Sequence, residues 1–141
     1  MLAGKTQIAA LIPHAGAMCL LDELLAWDAG RIRCLARSHR DPANPMRAGG
    51  ELPALCGIEY AAQAMALHGR LTVQAATSSA GYLASVRELA CRVARLDDLG
   101  VELVIDAQRL MGDEARVIYG FSLSASGAIV LEGRAAVVLE A

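Results

Sequence analysis

Two side chains in this sequence are equipped to move protons on a small organic substrate: the imidazole of His39 and the carboxyl of Glu59. Glu59 is the lone acid in an otherwise uncharged run from Leu52 to Gly69. An ionised carboxylate inside a buried helix is costly unless it is paired or used. His39 lies in the loop just before that run, so neighbouring elements deliver one acid and one imidazole, the minimal equipment for general acid–base chemistry. Gln63 follows Glu59 by one helical turn, where it can orient the acid or a backbone group. His14, after Pro13 in a turn, reads as an organiser of the amino-terminal loop, and His68, near the end of the run, as a cap for helix carbonyls.

Other chemistries lack their residues. Cys19, Cys34, Cys56 and Cys91 form no Cys-x-x-Cys pair and have no His at ligand spacing, so no metal centre is expected, and they read as reduced, buried small hydrophobes. There is no Gly-x-Ser-x-Gly elbow, phosphate-binding Gly loop or dinucleotide fingerprint. A net charge of −2, with Arg33, Arg37, Arg92 and Arg95 offset by scattered acids, gives no footprint for nucleic acid. The chain shows no uncharged run with membrane flanks and no convincing leader, so no membrane association is expected and residence in the cytoplasm is the default. With 55% apolar and 20% charged residues, 141 residues suit one globular domain over positions 1–141.

The elements that must position the two groups follow from periodicity. Pro53 suits the first turn of a helix and Gly69 its end, so Leu52 to Gly69 is expected to be one apolar helix. The loop from Ser38 to Glu51, marked by Asp41-Pro42, Asn44-Pro45 and Gly49-Gly50, is long for a compact domain, and loops of that length are often functional. Upstream, Met18 to Leu25 is expected to form a short helix leading into a strand; Asp28-Ala29-Gly30 signals a hairpin, and Ile32, Cys34 and Ala36 alternate as one face of a strand. From Gly81 onward the period is two. Val101, Leu103, Ile105 and Ala107 form one face, Val117, Tyr119, Phe121 and Leu123 another, and Ile129, Leu131, Ala135, Val137 and Leu139 a third. A phase slip within Tyr82 to Leu96 signals a bulge. The short turns at 97–100, 112–114 and 124–127 predict that successive strands pair antiparallel. One apolar helix and a long antiparallel sheet make an α+β domain, with the sheet curled around the helix.

Several segments, taken in order, resemble a known family. Ile12-Pro13-His14, Cys19-Leu20-Leu21-Asp22-Glu23-Leu24-Leu25, Ser38-His39, Asn44-Pro45 and Leu52-Pro53…Glu59…Ala62-Gln63 occur as in the hotdog-fold β-hydroxyacyl-acyl-carrier-protein dehydratases of fatty acid synthesis. The stretches His39-Arg40-Asp41-Pro42-Ala43-Asn44-Pro45 and Gly57-Ile58-Glu59-Tyr60-Ala61-Ala62-Gln63 are similar to the dehydratase-like branch associated with aryl polyene clusters.

The resemblance implies a hotdog fold in which His39 and Glu59 come together from different subunits of a homodimer or a hotdog heterodimer. It implies removal of water from a 3-hydroxyacyl thioester carried on the phosphopantetheine of acyl carrier protein or coenzyme A, with no other cofactor. His39 would act as base and Glu59 as acid, a role that needs a carboxyl protonated part of the time, which apolar surroundings favour. Pro53 and Ala54 would line the substrate, with the Ala54 N–H as donor to the developing oxyanion, and Gln63 would complete the substrate-binding set. The chain departs from the family pattern at Ser38, Arg40 and Ala54, where the family has Gly, Phe and Gly. It also has a longer interval between His39 and Glu59, which brings Arg47 within reach of a carrier-protein phosphate or acidic surface. Two further readings share the fold: an acyl thioesterase using Glu59 alone, and a non-catalytic partner subunit of a dehydratase heterodimer.

Overall fold

Alternating apolar side chains build a seven-stranded antiparallel sheet that packs against one long helix. The computed structural model describes residues 1–12, 18–72, 81–113 and 115–139, so His14 and its turn lie outside the described residues. The elements run β1 (Ala3–Gly4), α1 (Lys5–Leu11), β2 (Glu23–Trp27), β3 (Arg31–Ala36), a 3-10 turn at Ser38–Arg40, a second at Ala54–Cys56, α2 (Gly57–Thr72), β4 (Gly81–Cys91), β5 (Leu103–Gly112), β6 (Arg116–Ala125) and β7 (Ala128–Leu139). The spatial order is β1-β2-β3-β5-β6-β7-β4. The inner faces are those the alternation predicts: Ile32, Cys34 and Ala36 on β3, Leu103, Ile105 and Ala107 on β5, and Val117, Tyr119, Phe121 and Leu123 on β6 are all buried. They meet the buried side of α2, which includes Tyr60, Ala61, Ala64 and Leu67. Each large apolar side chain enclosed this way contributes about 1.5–3 kcal/mol. At Gly57 the helix comes so close to the sheet that an added Cβ would lie 2.5 Å from Leu131 Cδ2 and 3.0 Å from Leu123 Cδ2.

Four local expectations are corrected. First, α2 begins at Gly57 rather than Leu52. The chain before it is extended and pairs with residues 94–96: the Ala54 N–H donates to the Ala94 carbonyl (3.0 Å) and the Leu96 N–H to the Leu52 carbonyl (2.8 Å). The helix also runs through Gly69 to Thr72, whose hydroxyl donates to the His68 carbonyl at 2.8 Å. Second, β4 and β5 do not form a hairpin, because β4 pairs with β7 at the sheet edge while β5 pairs with β3 and β6. The short turn at 97–100 belongs to a crossing segment anchored on Leu52, with Leu96 fully buried beneath it. Third, residues 19–22 form no helix: the Asp22 N–H donates to the Leu35 carbonyl at 2.9 Å, and the described helix nearest the amino terminus is α1. Fourth, Ile129 is on the outer face, because a register shift opposite Leu123 and Ser124 inserts Val130 as an extra residue in β7. The bulge expected in β4 is present, with shifts at Leu83/Ser85 and Arg87/Ala90 and with Glu88 at φ 55°.

Candidate active site

His39 sits in the 3-10 turn that leaves β3 and is fully buried. Its Nε2 lies 2.8 Å from the Val101 carbonyl and 3.2 Å from the Leu99 carbonyl. Carbonyl oxygens only accept, so Nε2 carries the proton and Nδ1 holds the lone pair. That Nδ1 is enclosed and has no hydrogen-bond partner in the structure. Burial holds the imidazole below its ordinary pKa, against the two carbonyls, which favour the charged form. The ring is therefore neutral at neutral pH, with an unused basic site.

The turn that carries His39 is tied to α2 through Tyr60. Ser38 Oγ donates to the Leu20 carbonyl at 2.7 Å, which commits its only proton, so the Tyr60 hydroxyl 2.9 Å away donates to Ser38. Asn44 Nδ2 bridges the Ser38 carbonyl (2.9 Å) and Tyr60 Oη (3.2 Å). Burial raises the Tyr60 phenol above its ordinary pKa, consistent with its role as a neutral donor. Sequence reasoning left Tyr60 and Asn44 without a role, although both belong to stretches that carry the family resemblance.

Glu59 lies in the first turn of α2. It is half-buried rather than enclosed, on a side of the helix shared with the half-buried Ala62 and Ala66. Gln63 is fully buried, and its amide is filled by protein groups. Oε1 accepts from the Leu20 N–H (2.9 Å), while Nε2 donates to the Met18 carbonyl (2.7 Å) and to Glu59 Oε1 (3.3 Å). Gln63 thus does both things its spacing allowed, orienting a backbone segment and Glu59.

Pro53 and Ala54 precede α2 rather than forming its first turn: Pro53 caps the 3-10 turn at Ala54–Cys56 that leads into Gly57. Ala54 does not have positive φ, so the alanine is accommodated without strain, but its N–H is already engaged by the Ala94 carbonyl. Arg47 folds back on its own loop instead of reaching outward, donating to the Gly50 carbonyl (2.9 Å) and the His39 carbonyl (3.1 Å). His68 is not a carbonyl cap. It is fully buried, with Nε2 donating to the Asp28 carbonyl (2.8 Å), so that Nδ1 accepts from the Tyr119 hydroxyl (2.7 Å). Of the four cysteines, Cys19 and Cys34 are buried, Cys56 is half-buried and Cys91 is exposed.

A concavity of about 600 Å³ opens on the outer face of the sheet, between residues including Arg33, Asp106, Ser122 and Glu132, and contains neither His39 nor Glu59. Among the described residues no group of three or more His, Cys, Asp or Glu could hold a metal ion, and no helix is long and apolar enough to cross a membrane.

A family model for ApeP dehydratases, named ApeP-like, matches residues 6–140. The chain belongs to the ApeP-like dehydratase family. This agrees with the resemblance read from the sequence, and the fold is the hotdog that the resemblance implied. Among solved structures, the ApeI:P dehydratase heterocomplex from Xenorhabdus doucetiae is 24% identical, with a TM-score of 0.84 over 95% of this chain and 91% of that one. Zebra fish thioesterase superfamily member 2 is 16% identical, with a TM-score of 0.66 over 96% of this chain and 95% of that one. A hypothetical thioesterase from Streptococcus pneumoniae, solved with coenzyme A, is 11% identical, with a TM-score of 0.62 over 84% of each chain. No curated protein matches. ApeP-like membership thus supports dehydratase chemistry, while the fold is shared with thioesterases.

Proposed function

We propose that this chain is a dehydratase subunit that removes water from a (3R)-3-hydroxyacyl thioester, giving the trans-2-enoyl thioester, in fatty acid or aryl polyene synthesis. The acyl group is carried on the phosphopantetheine of acyl carrier protein or coenzyme A. His39 Nδ1 takes the proton from C2, and the resulting electron pair forms the C2–C3 double bond as the C3–oxygen bond breaks. Glu59 gives its proton to the departing hydroxyl, which leaves as water. General acid and base groups of this kind supply about 10²–10⁴-fold each. The observation that carries this reading is the neutral His39 imidazole, fixed through Nε2–H and keeping an unpartnered lone pair at an enclosed Nδ1.

A second hotdog chain completes the site. Support comes from the heterocomplex to which this chain is similar and from His39 itself, which is fully enclosed in the isolated chain and so needs its surroundings rearranged before it meets a substrate. The Ala54 N–H serves a substrate oxygen only by leaving the Ala94 carbonyl. That same observation favours a second reading, in which this chain keeps the fold and interface while a partner supplies the chemistry.

The test uses the purified chain, alone and with a second hotdog subunit, and follows the absorbance of the conjugated thioester. Hydration and dehydration lost in both His39→Ala and Glu59→Gln support the catalytic reading. Activity that needs the second subunit and survives both substitutions establishes the supporting-subunit reading instead. Thiol release without the conjugated species would identify a thioesterase.

A further inference from the structure

The carbonyls that set the His39 tautomer belong to the segment crossing from β4 to β5, and one carboxylate governs where that segment lies. Asp97 Oδ1 accepts from the Leu52 N–H at 2.8 Å and from Arg95 Nε at 3.0 Å, and its Oδ2 is paired with Arg95 Nη2. Arg95 extends the clamp to Glu51 through Nη1 at 2.7 Å. The turn from Leu96 to Leu99, with Asp97 as its second residue, closes through the Leu99 N–H on the Leu96 carbonyl at 3.1 Å and leads directly to the Leu99 and Val101 carbonyls. On its other side Asp97 holds Leu52, the residue from which the chain enters Pro53, the 3-10 turn and then α2 with Glu59. The Asp97 side chain is 6% exposed, while its Arg95 partner is 38% exposed, so the carboxylate end of the clamp is the enclosed one.

We propose that Asp97 is a positioning residue. Through Arg95 and the Leu52 N–H it fixes the turn whose carbonyls lock His39 as the Nε2–H tautomer, and it ties that turn to the chain entering the helix of Glu59. The inference rests on the base role given to His39 above, because a base works only with its lone pair on the nitrogen that faces the proton it removes. A ring freed from the two carbonyls exchanges tautomers and turns, and the wrong tautomer alone can reduce kcat by up to about 10⁴-fold in a general-base histidine.

The experiment compares the full chain with Asp97→Ala and Asp97→Asn by nitrogen NMR of 15N-labelled histidine, which distinguishes Nε2–H from Nδ1–H rings. His68 serves as the internal reference, since its tautomer is set by Asp28 and Tyr119 far along the chain from this clamp. The expected result for Asp97→Ala is a mixed tautomer at His39 with His68 unchanged, accompanied by a fall in kcat on the order of 10–100-fold and little change in KM. Asp97→Asn retains an acceptor for the Leu52 N–H but loses the charge on Arg95, so it gives an intermediate shift. A pure Nε2–H ring at His39 in a folded Asp97→Ala chain overturns the proposal. Where the alanine variant fails to fold, as shown by loss of the His68 signal, the asparagine variant decides in the same way. The NMR readout needs no turnover. A tautomer that responds to Asp97 in a chain without dehydratase activity, both alone and with a second hotdog subunit, would sink the catalytic reading and leave the positioning intact, whereas full activity with an unmoved tautomer would sink the positioning alone.

Discussion

Replacing Gln63 with leucine tests the support beneath Glu59 with a change that alters chemistry and nearly preserves shape. The fully buried amide holds three partners: the Leu20 N–H at 2.9 Å, the Met18 carbonyl at 2.7 Å and Glu59 at 3.3 Å. In Gln63→Leu the Leu20 N–H, on a fully buried residue, is left without an acceptor, a loss of about 1–3 kcal/mol. The lost bond to Met18, a residue 39% exposed whose carbonyl regains water, adds about 0.5–1.5 kcal/mol. Leucine fills the space, so no cavity contribution follows, and the sum is about 1.5–4.5 kcal/mol. With a urea slope of about 2 kcal/mol per molar, the unfolding midpoint falls by roughly 1–2 M at unchanged slope. Gln63→Glu keeps an acceptor for Leu20 but sets an oxygen against the Met18 carbonyl and Glu59. Its loss is largest at neutral pH and is partly recovered in acid, where the new carboxyl is protonated and donates. An unchanged midpoint in Gln63→Leu, measured at fixed protein concentration, would refute the reasoning, because the Leu20 N–H would then have found another acceptor.

Gly57→Ala gains about 0.5–1 kcal/mol of helix propensity but drives a methyl to 2.5 Å from Leu131 Cδ2, a side chain already fully buried, and overpacking of this kind costs about 1–3 kcal/mol. The net outcome is a lower urea midpoint. His39 and His68 are both held below their ordinary pKa of 6.5 by burial, so each contributes stability that is complete above that pH and lost as the pH falls through and below it. Each imidazole adds a slope of up to about 1.4 kcal/mol per pH unit, and His68→Gln removes its share, as unfolding midpoints across this range report. Burial pushes the Cys34 thiol up to about 12, whereas Cys91 is exposed, so alkylation of the folded protein followed by peptide mass mapping labels Cys91 and spares Cys34 until urea is added.

What the sequence discloses here is what depends on neighbours in sequence, and what it conceals depends on partners far away. The alternation of Ile32, Cys34 and Ala36 is enforced by the pleat and is visible in six residues. The place of β4 at the sheet edge is not, since the turn at 97–100 is short enough for a hairpin and is diverted only by bonds to Leu52 and Asp97 that no local pattern announces. Glu59 stood out as the one charge in an apolar run, and Gln63 by its spacing from it. His68 has the spacing of a cap and the surroundings of a core residue; the difference lies in Tyr119 and Asp28, distant in sequence. The start of α2 was misread by five positions for the same reason: Pro53 suits a first turn, but its neighbours are paired with Ala94 and Leu96. His39 drew attention through resemblance, while the two carbonyls that fix its tautomer belong to a segment without any motif.

Those carbonyls have a consequence for how the protein comes into being. The bonds that hold His39 join residues 60 and 62 positions apart, and Gln63 reaches back 43 positions to Leu20. Contacts of such separation form late, after the loops between them have been closed against chain entropy. During synthesis the ribosome must release residue 101 before His39 can acquire both of its carbonyl partners, so no amino-terminal fragment ending before Val101 holds the ring as the whole chain does. The environment of His39 is therefore a readout of the completed fold, absent from fragments or unfinished chains that stop short of residue 101.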